Sequence, residues 1–174
     1  MRRVVVDTNV PIVANGRPDS SDGGRSPSRI CRFAAIDFLE ETLKNSRVLL
    51  DLAGEIQAEY RRYLNPRGQP GVGDRFYEEI LRSAPARVER IDLPRDADGT
   101  YRDFPNDPAL SAFDQDDRKF AALGRRAESL VANATDSDWL HHRAALTAHG
   151  ITVHFVCGCD NRNWFEDDNR KDRA

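Results

Sequence analysis

Arg3-Val4-Val5-Val6-Asp7-Thr8-Asn9-Val10 begins two residues into the chain. Three consecutive β-branched residues with no polar alternate are the pattern of a strand buried on both faces, as in parallel sheets. The run ends on a carboxylate. Open parallel α/β sheets bind ligands outside the carboxyl ends of their strands, so Asp7 stands where such a sheet keeps its chemistry. A carboxylate at the end of a buried strand is rarely left unpaired.

Further along, Arg47–Leu52, Ser129–Ala134 and Ile151–Cys157 repeat the apolar run, and Val88–Leu93 is a fifth, weaker strand. Helical spacing runs over Ile30–Leu43, Gly54–Leu64, Asp74–Ser83, Asp117–Ala127 and Asp138–His149. This alternation predicts an α/β fold: a three-layer α/β/α sandwich with a mainly parallel, roughly five-stranded sheet. Gly16–Ser28, Pro66–Gly73 and Pro94–Phe113 read as loops. The last is long for a compact domain, and such loops are usually functional. Residues 1–157 read as one domain. Residues 158–174, with five acids against four bases, read as a polar C-terminal tail that Trp164-Phe165 could dock.

At 174 residues the chain can bury a core without disulfides or a structural metal. Its formal net charge of −3 argues against holding nucleic acid by bulk electrostatics, while leaving room for a local basic groove. Cys31, Cys157 and Cys159 are an odd set without framework spacing, which points to a reducing compartment. Cys157-Gly158-Cys159 fits neither a zinc ribbon nor a dithiol redox motif. No stretch approaches the ~20 apolar residues of a membrane span, and Asp7 interrupts any signal-peptide core. A cytoplasmic protein with no membrane partner is expected.

Carboxylates recur where the fold can gather them. Asp117 opens a helix after Asp114 and Asp116; Asp136 and Asp138 follow the Ser129 strand; Glu55 and Glu59 share one helix face. Each alone has a simpler reading, as a helix cap or a solvated face. In a parallel sheet, however, Asp7, Asp117, Asp136 and Asp138 converge on one rim, with Glu59 reaching in. Carboxylates held together repel unless a cation or raised pKa values relieve them. Hard oxygen ligands in an incomplete shell suit Mg²⁺ or Mn²⁺, and the chemistry that follows is hydrolysis of a phosphodiester, with two ions about 3.5–4 Å apart activating water. No P-loop, dinucleotide fingerprint or nucleophile elbow competes. His141-His142 reads as surface or tail-of-site residues rather than metal ligands, since adjacent residues do not share a helix face.

These residues resemble a PIN-domain nuclease. Val5-Val6-Asp7-Thr8-Asn9-Val10 is similar to that family's first motif and Ile56-Gln57-Ala58-Glu59-Tyr60 to its second. Phe113-Asp114-Gln115-Asp116-Asp117-Arg118-Lys119 resembles the third, and Ala134-Thr135-Asp136-Ser137-Asp138-Trp139 the fourth. The resemblance implies a sheet ordered 3-2-1-4-5 and a Mg²⁺- or Mn²⁺-dependent endoribonuclease acting on RNA, single-stranded for preference. It implies Asp7, Glu59, Asp117 and Asp136 as the acidic core and Asp138 as a further metal ligand. Asn9 and Thr135 would orient carboxylates or water. Glu59 is preferred to Glu55 on its Glu-Tyr match, with Glu55 the alternative. Many members are toxins of toxin–antitoxin pairs and form dimers, so an antitoxin protein and a homodimer are the implied partners. Arg29, Arg62, Arg118 and Lys119 are candidate RNA contacts. The alternatives are a catalytically silent PIN-like binding domain and a phosphatase of the haloacid-dehalogenase type. The latter needs an acid where this chain has Asn9.

Overall fold

A computed structural model describes residues 1–18, 23–82 and 86–166. Five strands form one parallel sheet in the order β3-β2-β1-β4-β5, the order expected above. They are β1 (Arg2–Val6), β2 (Ser46–Asp51), β3 (Val88–Ile91), β4 (Leu130–Asn133) and β5 (Val153–Phe155). Among the described residues seven α-helices accompany them: α1 (Asn9–Ala14), α2 (Arg29–Asn45), α3 (Glu55–Tyr63), α4 (Val72–Arg82), α5 (Arg118–Arg126), α6 (Ser137–His141) and α7 (Arg143–Ala148). Helices α1, α2 and α4 pack together as one layer, while α3 and α5 pack on each other and on β2. The result is the three-layer sandwich.

The central strand is central because it is apolar. Val4 pairs with both Val48 and Leu130, and Val5 with Val131, so the valine run is flanked on each side by strands of its own kind. Val5, Val6, Leu49, Leu50 and Val131 have no exposed surface. Each such side chain contributes roughly 1.5–3 kcal/mol through burial. Two close approaches hold the helical layers in. A Cβ on Gly73 would lie 2.0 Å from the Pro11 carbonyl oxygen, and one on Gly124 would lie 2.5 Å from Val131 Cγ2. Both glycines are therefore contact surfaces.

Three expectations are corrected. Helix α1 has no counterpart in the sequence reading, because all six of its residues are buried and an element apolar all round shows no periodicity. The single helix expected over Asp138–His149 is two, broken at His142 (φ −94°, ψ 4°). The cysteines are also paired: Cys31, in the first turn of α2, is disulfide-bonded to Cys157, 126 residues later, and Cys159 is free and exposed. Only the topology brings the start of α2 beside the end of β5, so spacing could not show this bond. The inference to a reducing compartment loses its footing with it.

The segment after Cys157 docks through its aromatics. Trp164 is fully buried and donates its Nε1–H to Gly158 O at 2.9 Å. Phe165 bridges to Pro27, and Ser28 N donates to Trp164 O. Through Glu166 this segment is part of the packed domain; 167–174, the rest of the expected tail, lie outside the described residues, as do 19–22 of the expected first loop. Among the described residues no helix is long and apolar enough to cross a membrane.

Candidate metal centre

Asp7 follows the last residue of β1 and is 3% exposed. Its backbone N–H still donates to Ala132 O, extending the β1–β4 ladder by one residue. The carboxylate is gripped at both oxygens: Asn9 N donates to Oδ1 at 2.9 Å and Trp139 Nε1 to Oδ2 at 3.0 Å. Both donors are neutral N–H groups, which orient a carboxylate without cancelling its charge.

The turn after β4 is held by a pair of asparagines. Asn9 Nδ2 donates to Asn133 Oδ1 at 2.7 Å, and Asn9 Oδ1 accepts from Ala134 N at 2.7 Å. Asn133 Nδ2 in turn donates to Asp136 O at 3.1 Å. The end of β1 and the Thr135-Asp136 turn are thereby fixed to each other. Asp136 is 9% exposed and caps α6, accepting from Asp138 N. Thr135 is fully buried, and its hydroxyl finds no partner. A buried hydroxyl without a hydrogen bond is costly, and it stands beside Asp136.

Asp117 comes from a different direction. It is the N-cap residue of α5 yet makes no side-chain cap, so the ordinary reason for an acid at a helix start is absent. Burial raises its pKa far above the usual carboxylate range, and the charges of Asp7, Asp136 and Asp114 raise it further, as does a hydrogen bond with Asp136. Three of the predicted core acids, Asp7, Asp117 and Asp136, therefore meet. Burial first, and the negative charge gathered there second, favour the protonated form of Asp117. No three His, Cys, Asp or Glu side chains among the described residues stand as a finished ligand set. The donor chemistry nonetheless fits a hard divalent cation: carboxylate oxygens that repel one another, with an orphaned hydroxyl alongside.

Asp138 is placed at the rim and committed elsewhere. Its Oδ2 accepts from Asp114 N at 2.8 Å, and its Oδ1 lies 3.0 Å from His142 Nδ1. It fastens the acidic turn 114–117 to α6. Of the two readings of His142, the surface one does not hold, since its side chain is 15% exposed and packs edge-on against Phe113.

The two candidate second acids point to different neighbours. Glu59 Oε1 accepts from Thr8 Oγ1 at 2.6 Å, one residue from Asp7, and Oε2 meets Lys119 Nζ at 2.5 Å. Glu55 lies one turn away. Burial raises its pKa, but hydrogen bonds from Arg95 and Tyr101 outweigh this and leave it below the ordinary value. The Tyr101 hydroxyl is pushed well above its ordinary pKa by burial and by Glu55. Glu55 thus ties α3 to the long 92–117 segment, and Glu59 is the acid beside Asp7.

No family model matches the chain, and no curated protein does. Among solved structures it is similar to a domain of a functionally unknown protein from Methanocaldococcus jannaschii DSM 2661. The identity is 17% over 89% of this chain and 91% of that one, with a TM-score of 0.40.

The candidate RNA contacts divide in two. Arg29 and Arg62 are exposed. Arg118 is turned inward: its guanidinium donates to the Ser111 and Phe113 carbonyls and lies over the Phe104 ring at 4.8 Å. Lys119 is 7% exposed and paired to Glu59. Neither is the solvent-facing phosphate contact expected, because each answers an unmet acceptor of the fold. A cleft of about 1000 Å³ beside them is lined by Glu55, Arg95, Tyr101, Asp116, Arg118 and Lys119 among others. Asp7, Asp117 and Asp136 do not line it. The acidic convergence, with its perturbed carboxyl, defines the site in preference to the cleft.

Asn133 and Trp139 are supporting residues without a role in the sequence reading, and Lys119 has a different one there. Asn133 left a trace, since asparagine is unfavourable in a buried strand and needs a reason to be there.

Proposed function

We propose that this protein is a metal-dependent endoribonuclease whose Asp7, Asp117 and Asp136 hold Mg²⁺ or Mn²⁺. The observation that carries this reading is Asp117, an acid whose side chain caps nothing and whose pKa is raised by burial and by three neighbouring carboxylates. Such an arrangement is unfavourable by itself and becomes favourable when a cation takes the place of the proton. When bound, the ion supplies Lewis acidity, lowering the pKa of a coordinated water and offsetting charge on a phosphate oxygen. The chain's own groups do the rest. Trp139 Nε1 and Asn9 N orient Asp7. The Asn9–Asn133 pair sets the distance between β1 and the Asp136 turn. The Thr135 hydroxyl is available to a water. RNA as the substrate rests on the resemblance of the four acidic motifs, and exposed Arg29 and Arg62 are its candidate phosphate contacts.

The test is cleavage of a generic single-stranded RNA with Mg²⁺, Mn²⁺ or EDTA, comparing the wild type with Asp7→Asn. Loss of a supporting residue around a metal typically costs 10–100-fold, so loss of a ligand is expected to exceed about a hundredfold. Equal cleavage by the variant, or none by the wild type with either ion, ends the reading. A catalytically silent binding domain is the second reading, favoured by the lack of a finished three-ligand set among the described residues. It predicts no rise in melting temperature with Mn²⁺.

A further inference from the structure

Residues 61–75 carry four arginines and one acid, in a chain whose formal net charge is −3. The acid, Asp74, has no exposed surface. Its Oδ1 accepts from Asn65 N at 2.8 Å, and its Oδ2 from Gly71 N at 2.9 Å and Arg17 Nη2 at 3.1 Å. Asn65 Oδ1 accepts from Arg67 N at 3.0 Å, and Asn15 Oδ1 from Gly73 N at 2.8 Å. One buried carboxylate, its charge met by Arg17, thus cinches both ends of the turn that joins α3 to α4. A loop held in this way presents its side chains in fixed places.

Four cations remain. Arg61, Arg62, Arg67 and Arg75 are exposed, and among the described residues none has a carboxylate within ion-pair distance. On α4, Glu78 is engaged by Arg82 instead. Tyr63 stands beside them, 42% exposed, and its carbonyl accepts from Arg17 Nη1 at 3.3 Å. Guanidinium forks match phosphate oxygens, and an exposed aromatic ring in a cationic setting is a stacking platform for a base. An acidic peptide would engage the arginines and leave the ring idle, whereas a strand of nucleotides uses both. Position adds to this. Arg62 and Tyr63 follow Glu59 by three and four residues, which places them one turn further along the same side of α3. Glu59 itself accepts from Thr8 Oγ1 at 2.6 Å, one residue from Asp7.

We propose that Arg61, Arg62, Tyr63, Arg67 and Arg75 form a binding surface for a single-stranded polynucleotide, with the arginines on its phosphates and the Tyr63 ring under a base. That the strand leads on to a cleavage centre rests on the nuclease reading above; the binding itself does not. Contacts to phosphates and base faces carry no sequence preference.

Fluorescence anisotropy of a labelled single strand of about twelve nucleotides, in EDTA so that nothing is cut, tests this. With four phosphates engaged at about 0.7 each, log affinity in the wild type is expected to fall against log salt with a slope of about −2.8. Arg67→Gln/Arg75→Gln is expected to bind about tenfold more weakly at low salt and to reduce the slope by about 1.4. Tyr63→Ala is expected to lose at least about fivefold, while Tyr63→Phe stays within about twofold. These side chains are exposed, and circular dichroism establishes that each variant is folded. RNA and DNA strands of one sequence are compared, and the tighter of the two names the sugar that the surface serves. No binding by the wild type, an unchanged slope in the double variant, no loss in Tyr63→Ala, or displacement by polyglutamate as effective as by unlabelled strand would each overturn the proposal. Binding in EDTA without cleavage in Mg²⁺ or Mn²⁺ ends the nuclease reading and leaves the surface standing. Metal-dependent cleavage with full strand affinity in the double variant and in Tyr63→Ala does the reverse.

Discussion

Trp139 Nε1 donates to Asp7 Oδ2 at 3.0 Å across 132 residues of chain, and both side chains are buried. The largest apolar group of α6 is thus also the clamp on the central acid. Trp139→Phe keeps most of the volume and removes the donor. A hydrogen bond to a charged group contributes about 1.5–3 kcal/mol, and a loss of that size is expected in urea unfolding. Mn²⁺ affinity should fall in the same variant, because an unclamped Asp7 is no longer presented in one orientation.

Asp117 gives a pH dependence of definite sign. Its carboxyl keeps a proton in the folded chain that the unfolded chain releases above about pH 3.8. The folded state then binds more protons than the unfolded state, so this residue subtracts stability as pH rises through and beyond that value. Asp117→Asn removes the effect. Melting in EDTA between pH 5 and pH 8 should show the variant above the wild type, with the gap widest at pH 8. For a chain of this size each kcal/mol moves the melting temperature by roughly 2–4 °C. Added Mn²⁺ should reverse the order, stabilising the wild type and leaving the variant unchanged.

Glu55 makes a contrasting case. It is committed to Arg95 and Tyr101, with Arg95 Nη2 at 2.6 Å from Oε2. Glu55→Gln should leave Mn²⁺ affinity within about twofold, as expected for a site that shares no partner with the centre. Amide hydrogen exchange should quicken over residues 95–101, which this contact anchors. A large loss of Mn²⁺ affinity would return Glu55 to the ligand set.

How much of this was legible in the sequence follows from what each residue depends on. Val4–Val6, Leu49–Leu50 and Val131–Ala132 declare buried parallel strands by composition alone, and Asp7 declares itself by where the first run stops. Asp51 ends β2 in the same manner, yet both its oxygens accept from the first turn of α3, at Glu55 N and Ile56 N. The difference between Asp51, which caps α3, and Asp7, which does not cap α1, lies in the next turn of chain, and Gly54 in a left-handed conformation (φ 84°) shapes the turn after Asp51. Lys119 reads as a rim cation because its partner, Glu59, is on another helix. Cys31 and Cys157 read as unrelated for the same reason. Local pattern carried the strands; pairings set by topology were not in it.

The Cys31–Cys157 bond should be found directly by peptide mapping under non-reducing conditions, with Cys159 alone open to alkylation. Reduction is expected to lower stability by roughly 2–5 kcal/mol, since the bond closes a loop of 126 residues. Cys31→Ser should reproduce the loss and make the protein indifferent to reductant.

The sheet order has a consequence for the life of the chain. β1 is made well before its partner β4, which is encoded after β2, β3 and the long 92–117 segment. The grip on Asp7 needs Ala132 and Trp139, and the asparagine pair needs Asn133. A growing polypeptide that has reached the end of β3 therefore owns the first acid without owning a centre. Such distant pairings form slowly and late, so the constellation arrives in one step, only once β4 and α6 have been made, and a fragment that stops at β3 carries no partial version of it.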